Sequence, residues 1–249
     1  MSTWVVGKIV EVKHWTDQLF SLIVQAPVNA FVAGQFTRIG MYVNSTIIQR
    51  AYSYLNAPNN PNLEFYIATV LEGKFTPLLR ALCSGDTVML TKEAYGRFVL
   101  DEIPSCANLW MLASGTGIGP YLSILADHDE RLDQFSNIVL VHATRFYKNL
   151  NYLSQIKKLK NIYSSKLRVQ TITSQEKSYN SLFGRIPTLI ENNSLEKKVG
   201  LPLNISNSHV MLCGNPHMIS DTKEILKKKY GMKDHVRRNP GHITQERYW

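Results

Sequence analysis

The chain has no run of about 18 apolar residues, and Met1-Ser2-Thr3-Trp4 opens without a basic segment leading into an apolar one. Neither a membrane span nor a secretory leader is expected, and the cytoplasm is the expected location. Cysteine is scarce: Cys83, Cys106 and Cys213 lie far apart, leave one over and form no CxxC. That pattern argues against a disulfide framework, a zinc site and an iron–sulfur cluster, which would need about four grouped thiolates. The seven histidines show no HExxH or similar ligand spacing. Without metal ligands, any redox chemistry would use an organic cofactor. The GxGxxG fingerprint, internal repeats and low-complexity segments are missing as well.

What remains is an ordinary globular composition, 44% hydrophobic and 19% charged, in 249 residues. That length suits two modest domains, each able to bury its own core. The formal charge of +9 favours acidic partners. Much of it lies in Lys157-Lys158-Lys160, Lys197-Lys198, Lys227-Lys228-Lys229 and Arg237-Arg238, runs of a kind that on helices most often form solvated faces.

The apolar period changes along the chain. Up to about residue 100 it alternates or comes in short β-branched and aromatic runs: WVVGKIVEVK (4–13), LFSLIVQA (19–26), RAYSYL (50–55), LEFYIATV (63–70) and DTVMLTK (86–92). With one short helical stretch, FTPLLRAL (75–82), this predicts an N-terminal antiparallel barrel of six or so strands without exposed edges. From about Asn108, nearly continuous apolar strands (109–113, 137–143, 167–173, 209–213) alternate with helical patterns at 120–128, 149–160, 186–195 and 216–230. That rhythm predicts a parallel-sheet α/β domain. The segment DEIPSCAN (101–108) is the expected join, giving domains 1–101 and 102–249.

Ligands of such a sheet bind beyond the carboxyl ends of its strands. SGTGIGP (114–120) follows the first of them, and its glycines allow backbone to approach a pyrophosphate, although a tight structural turn would use them too. Cys213-Gly214-Asn215-Pro216 follows a later strand; Cys213 alone reads more readily as inert core than as a residue beside a bound ring. In the first half, Arg50-Ala51-Tyr52-Ser53 sets a cation able to grip phosphate next to a ring able to stack on a flat ligand. An outward polar strand face would look the same.

Taken together, RAYS, GTGIGP, CGNP and the terminal E-x-Y-W, in this order over nearly the whole length, resemble the short bacterial ferredoxin/flavodoxin-NADP+ reductases. The resemblance implies a FAD-binding barrel, an NADP(H)-binding α/β domain and an aromatic tail that returns to the flavin. It gives Arg50 to the FAD pyrophosphate, Tyr52 to one flavin face and Ser53 to a hydrogen bond near the reactive nitrogen, with Ala51 beside them. Tyr66, Ala68 and Thr69 would line the flavin and its chain, and Lys74, Phe75 and Thr76 would open a helix receiving phosphate. Thr116 would lie between FAD and the nicotinamide, with Cys213, Gly214 and Asn215 alongside. Thr144, Arg145, Ser174 and Arg185 would read the 2′-phosphate, although Gln175 stands where close relatives carry Arg. Tyr248 would cover the flavin, Trp249 would pack on its adenine, and Ser53, Cys213 and Glu246 would form the catalytic set.

The resemblance further implies an acidic flavodoxin or ferredoxin as the one-electron partner; Arg237 and Arg238, close in sequence to the tail, are the first candidates for the basic surface that meets it, with no nucleic acid or membrane expected and a monomer as the default state. A stand-alone flavin reductase on the same fold is the nearby alternative. A basic nucleic-acid-binding barrel is the alternative of another class; it would leave both glycine-bearing turns idle.

Overall fold

The computed structural model describes residues 3–248 of the chain. The backbone forms two six-stranded sheets, one antiparallel and one parallel, in two compact units. One unit comprises residues up to Val99 together with Gly119–His128; the other takes Leu100–Ile118 and the residues from Asp129 onward. Among the described residues no helix is long and apolar enough to cross a membrane.

The antiparallel unit contains β1 (Trp4–His14), β2 (Leu19–Gln25), β3 (Phe36–Val43), β4 (Thr46–Ser53), β5 (Leu63–Ala68) and β6 (Thr87–Thr91), with the short helix α1 (Thr76–Arg80) before β6. The strand order is β4-β3-β6-β1-β2-β5. Its inward side chains, among them Phe20, Leu22, Ile39, Phe65 and Leu90, form one buried cluster. The end strands β4 and β5 do not share a ladder; just beyond β4 the Leu55 N–H donates to the Glu64 C=O of β5 at 2.9 Å. The strand expected at 50–55 begins earlier and ends sooner, and β3, whose run FTRIGMYV is interrupted by Gly40, has no clear apolar alternation to mark it in the sequence. Helix α2 (Gly119–Asp127) packs into this unit: Ser123 Oγ–H donates to Asn56 C=O at 2.7 Å, and the Tyr121 and Phe98 rings lie 5.6 Å apart.

The parallel unit contains β7 (Asn108–Ser114), β8 (Asn137–Thr144), β9 (Leu167–Thr173), β10 (Ser181–Phe183), β11 (Ser208–Gly214) and β12 (Ile243–Arg247). Its order, β10-β9-β8-β7-β11-β12, steps outward from β7 in one direction and then resumes on the other side with β11. The switch point thus falls between β7 and β11, where this class of sheet opens a crevice at its carboxyl edge. Strands buried on both faces need continuous apolar side chains, and Leu109–Ala113 and Ile138–Val141 supply them. Helices α3 (Leu153–Tyr163), α4 (Ile186–Glu191), α5 (Ser194–Val199) and α6 (Pro216–Tyr230) complete the unit. The helix expected at 186–195 is two helices, because Asn193 adopts φ +61° and breaks the first.

The lysine run at the end of α6, Lys227 to Lys229, is exposed as expected, and part of it is also tied into the fold. Lys227 and Lys223 pair with Asp234 at 2.5 and 2.9 Å, and Lys229 Nζ donates to the Ile190 and Glu191 carbonyls and to Asn193 Oδ1. Arg237 and Arg238 remain exposed.

Candidate functional site

The two glycine-bearing turns meet at the switch point. After β7 the chain turns through a 3-10 segment, Gly115–Ile118, and after β11 it turns at Gly214 into α6. Ser114 ties them together: its Oγ accepts the Asn215 N–H at 2.9 Å. Both turns require glycine for lack of room. A Cβ on Gly117 would lie 2.5 Å from the Cys213 carbonyl oxygen, and one on Gly214, where φ is +121°, would lie 2.4 Å from that of Ser114. Asn215 caps α6, its Oδ1 accepting the His217 and Met218 amides at 2.9 and 3.2 Å. Two amides of this helix start are therefore already satisfied.

Strand β12 brings the end of the chain to the same place. It pairs in parallel with β11, setting Glu246 opposite Cys213 and Arg247 opposite Gly214, and the Tyr248 N–H donates to Gly214 C=O at 3.1 Å. The Cys213 thiol is fully buried, and burial together with the Glu246 charge holds its pKa well above the usual thiol value, while a side-chain hydrogen bond with Tyr248 acts in the opposite direction. Cys213 consequently keeps its proton. Thr116, Cys213, Gly214, Asn215, Glu246 and Tyr248 thus converge; Trp249 lies outside the described residues.

A second group occupies the carboxyl ends of β8, β9 and β10. The Ser174 N–H donates to Thr144 C=O at 3.0 Å and the Gln175 N–H to Arg145 C=O at 2.9 Å, so the two strand ends are held side by side. Arg145 is exposed there, as is Arg185, which follows β10 and precedes α4.

In the antiparallel unit, β4 leaves Arg50 and Ala51 exposed, half-buries Tyr52 and buries Ser53. The Tyr52 ring lies 6.4 Å from that of Phe75, which is buried just before α1, and burial pushes the Tyr52 phenol pKa up against the opposing pull of Arg50. Tyr66 is buried and Ala68 half-buried at the end of β5, and Lys74 is exposed. Thr76 Oγ1 accepts the Val70 N–H at 2.8 Å, bracing the turn between β5 and α1. Thr69 Oγ1 and the Nη1 of Arg80 are buried without a hydrogen-bond partner among the described residues, and both side chains line a groove of about 350 Å³.

Comparison with known proteins resolves what this arrangement belongs to. The sequence profile described as "Oxidoreductase NAD-binding domain" matches residues 111–224, a span that includes both glycine-bearing turns. The flavodoxin/ferredoxin–NADP reductases of Shigella flexneri and of Escherichia coli (strain K12) are each 55% identical over 249 residues, covering 100% of both chains. The chain belongs to the flavodoxin/ferredoxin–NADP reductase family. It is an oxidoreductase of that family, and its fold agrees: a ferredoxin NADP+ reductase from Neisseria gonorrhoeae, solved with bound FAD and NADP, superimposes with a TM-score of 0.93 at 32% identity over 99% of each chain.

Some residues at or near these turns and grooves carry little signal in the sequence. Ser114, which links the two turns, looks like any small residue after a strand. His142 was legible only as a lone polar side chain within NIVLVHA. Arg80 sits in an amphipathic stretch where a basic residue is unremarkable.

Proposed function

We propose that this protein moves electrons between NADPH and a small acidic carrier, flavodoxin or ferredoxin, through bound FAD in the cytoplasm. The observation that carries the reading is the convergence of the Gly115–Ile118 turn, Cys213 and the Glu246–Tyr248 tail at the switch point of the parallel sheet. Full-length identity to named reductases agrees with it.

The residues of the antiparallel unit fit FAD. Arg50 supplies an exposed guanidinium suited to a pyrophosphate, Tyr52 a flat face, and Thr69 a buried hydroxyl that lacks a partner among the described residues. Ser53, Tyr66, Ala68, Lys74, Phe75 and Thr76 complete this surface. The FAD group, once bound, accepts hydride as an electron pair and releases electrons singly, which nicotinamide does not do.

The parallel unit would hold NADPH. Gly115 and Gly117 bring backbone close to the ligand, Thr116 and Asn215 border the reacting ring, and Arg145, Ser174 and Arg185 offer charge and hydrogen bonds to the 2′-phosphate. Cys213 presents a protonated thiol as a packing and hydrogen-bonding surface rather than a nucleophile. Glu246, opposite it in the ladder, would balance proton movement at the site. Tyr248 would cover the flavin until the nicotinamide displaces it. Removing Tyr248 and Trp249 is expected to weaken FAD retention and change the visible flavin spectrum; a truncated protein with unaltered spectrum and FAD affinity would count against this role.

Purified protein should be yellow and should reduce flavodoxin or ferredoxin with NADPH. Activity confined to free flavin as acceptor would instead favour a flavin reductase.

A further inference from the structure

We infer that His142 is a positioning residue of this reductase, holding the Gly115–Ile118 turn in place through its hydrogen bond to the Gly115 carbonyl. The inference rests on the functional reading just given. His142 lies in β8, paired with Ala113 of β7 and Thr171 of β9, and is fully buried. Its Nε2 is 3.0 Å from the Gly115 carbonyl oxygen. A carbonyl only accepts, so Nε2 carries the hydrogen and Nδ1 is the bare nitrogen. That Nδ1 is buried with no partner among the described residues, which costs stability that an aliphatic side chain in this strand would not incur. The side chain is thus disfavoured by its own strand, and its Nε2 bond reaches the ligand-facing turn.

The bond is placed where a small movement carries far. Gly115 adopts φ +57°, a conformation that fixes where its carbonyl points and where Thr116 follows. Two residues on, Gly117 is packed against the Cys213 carbonyl so closely that a Cβ would not fit. Displacing the Gly115 carbonyl therefore shifts Thr116 and presses on the Cys213–Gly214 backbone. Burial lowers the His142 pKa to about 4, so the ring is neutral throughout the ordinary working range and the bond does not switch with pH.

Two variants of the FAD-loaded protein test this. His142→Leu removes the donor and fills the space; His142→Gln keeps an N–H at similar reach. Amide hydrogen exchange should show Gly115–Ile118 opening about tenfold faster in His142→Leu, with β7 and β8 unchanged and near wild-type protection in His142→Gln. With ferricyanide as acceptor, kcat/KM for NADPH should fall about tenfold in the Leu variant and recover in the Gln variant, as expected for one buried hydrogen bond. Binding of 2′,5′-ADP, which lacks the nicotinamide half, should stay within about twofold of wild type. Unchanged exchange of the turn overturns the inference, as does a Leu variant in which the whole sheet exchanges faster and 2′,5′-ADP binding falls in parallel. A wild-type protein that fails to oxidise NADPH would refute the functional reading itself, while the exchange of the turn would still report on His142.

Discussion

Gln175 is where the proposed 2′-phosphate site can be tested. Its backbone is held beside Arg145, so an arginine there would stand among the cations assigned to the 2′-phosphate. With a neutral side chain the site lacks one charge-assisted contact, worth about 1.5–3 kcal/mol. NADPH should still be preferred, through Arg145 and Arg185, and Gln175→Arg should raise the NADPH-over-NADH ratio of kcat/KM by roughly tenfold or more. Equal kcat/KM for the two coenzymes in the wild type would contradict the assignment. A related test concerns Gly117. Its replacement by Ala drives a Cβ to 2.5 Å from the Cys213 carbonyl oxygen, so backbone must move. Gly117→Ala should lower stability by about 1–3 kcal/mol and depress NADPH oxidation more than FAD content; full activity at unchanged melting temperature would show that the close approach is not needed.

At the scale of elements, the strands buried on both faces were the most legible. LWMLA, NIVLVHA and HVMLC are too apolar to be anything but interior, and β7, β8 and β11 follow them closely. The edge strands were not legible for the opposite reason. β12 reads ITQER, with only Ile243 buried, because its solvent side needs no apolar residues and its identity comes from pairing with β11. β10 is three residues long and offers no period to read. The tail illustrates the difference: in the sequence the roles of Glu246 and Tyr248 rest on resemblance alone, whereas the ladder to β11 sets Glu246 opposite Cys213 and the Tyr248 N–H on the Gly214 carbonyl. Motif order was enough to locate the glycine turns, but nothing in it revealed that Ser114 and His142 anchor them. Such bonds depend on which strands become neighbours, a long-range property of topology.

For the whole molecule, charge and buried histidines set the response to solution conditions. Arg237 and Arg238 are exposed, while nearby Lys223 and Lys227 share the single carboxylate of Asp234. Arg237→Glu with Arg238→Glu should raise the KM for an acidic carrier roughly tenfold at low salt, converging with wild type as salt screens the encounter, and leave ferricyanide reduction intact. Carrier kinetics that do not change would move the docking surface elsewhere. Burial lowers the pKa of His142 to about 4 and, with the nearby charges of His235 and His242, that of His209 to about 3. The unfolded chain takes up protons near 6.5 while these folded rings stay neutral, so their stability is fully present above that pH and erodes as pH falls toward 4 and then 3. The slope is up to about 1.4 kcal/mol per pH unit for each ring. Melting temperature should therefore decline from about pH 6.5 downward, and His142→Leu should flatten part of that decline; a profile unaltered by the substitution would contradict the assignment.

NADPH electrons are proposed to reach a carrier protein through FAD on this chain. The most direct measurement is NADPH-driven reduction of purified flavodoxin and of ferredoxin, followed by their absorbance, with the FAD-loaded protein and with protein stripped of FAD. Reduction of at least one carrier in proportion to loaded protein, lost on stripping and restored by added FAD, is the predicted result. Oxidation of NADPH that never reaches either carrier, or carrier reduction that persists without FAD, would contradict it.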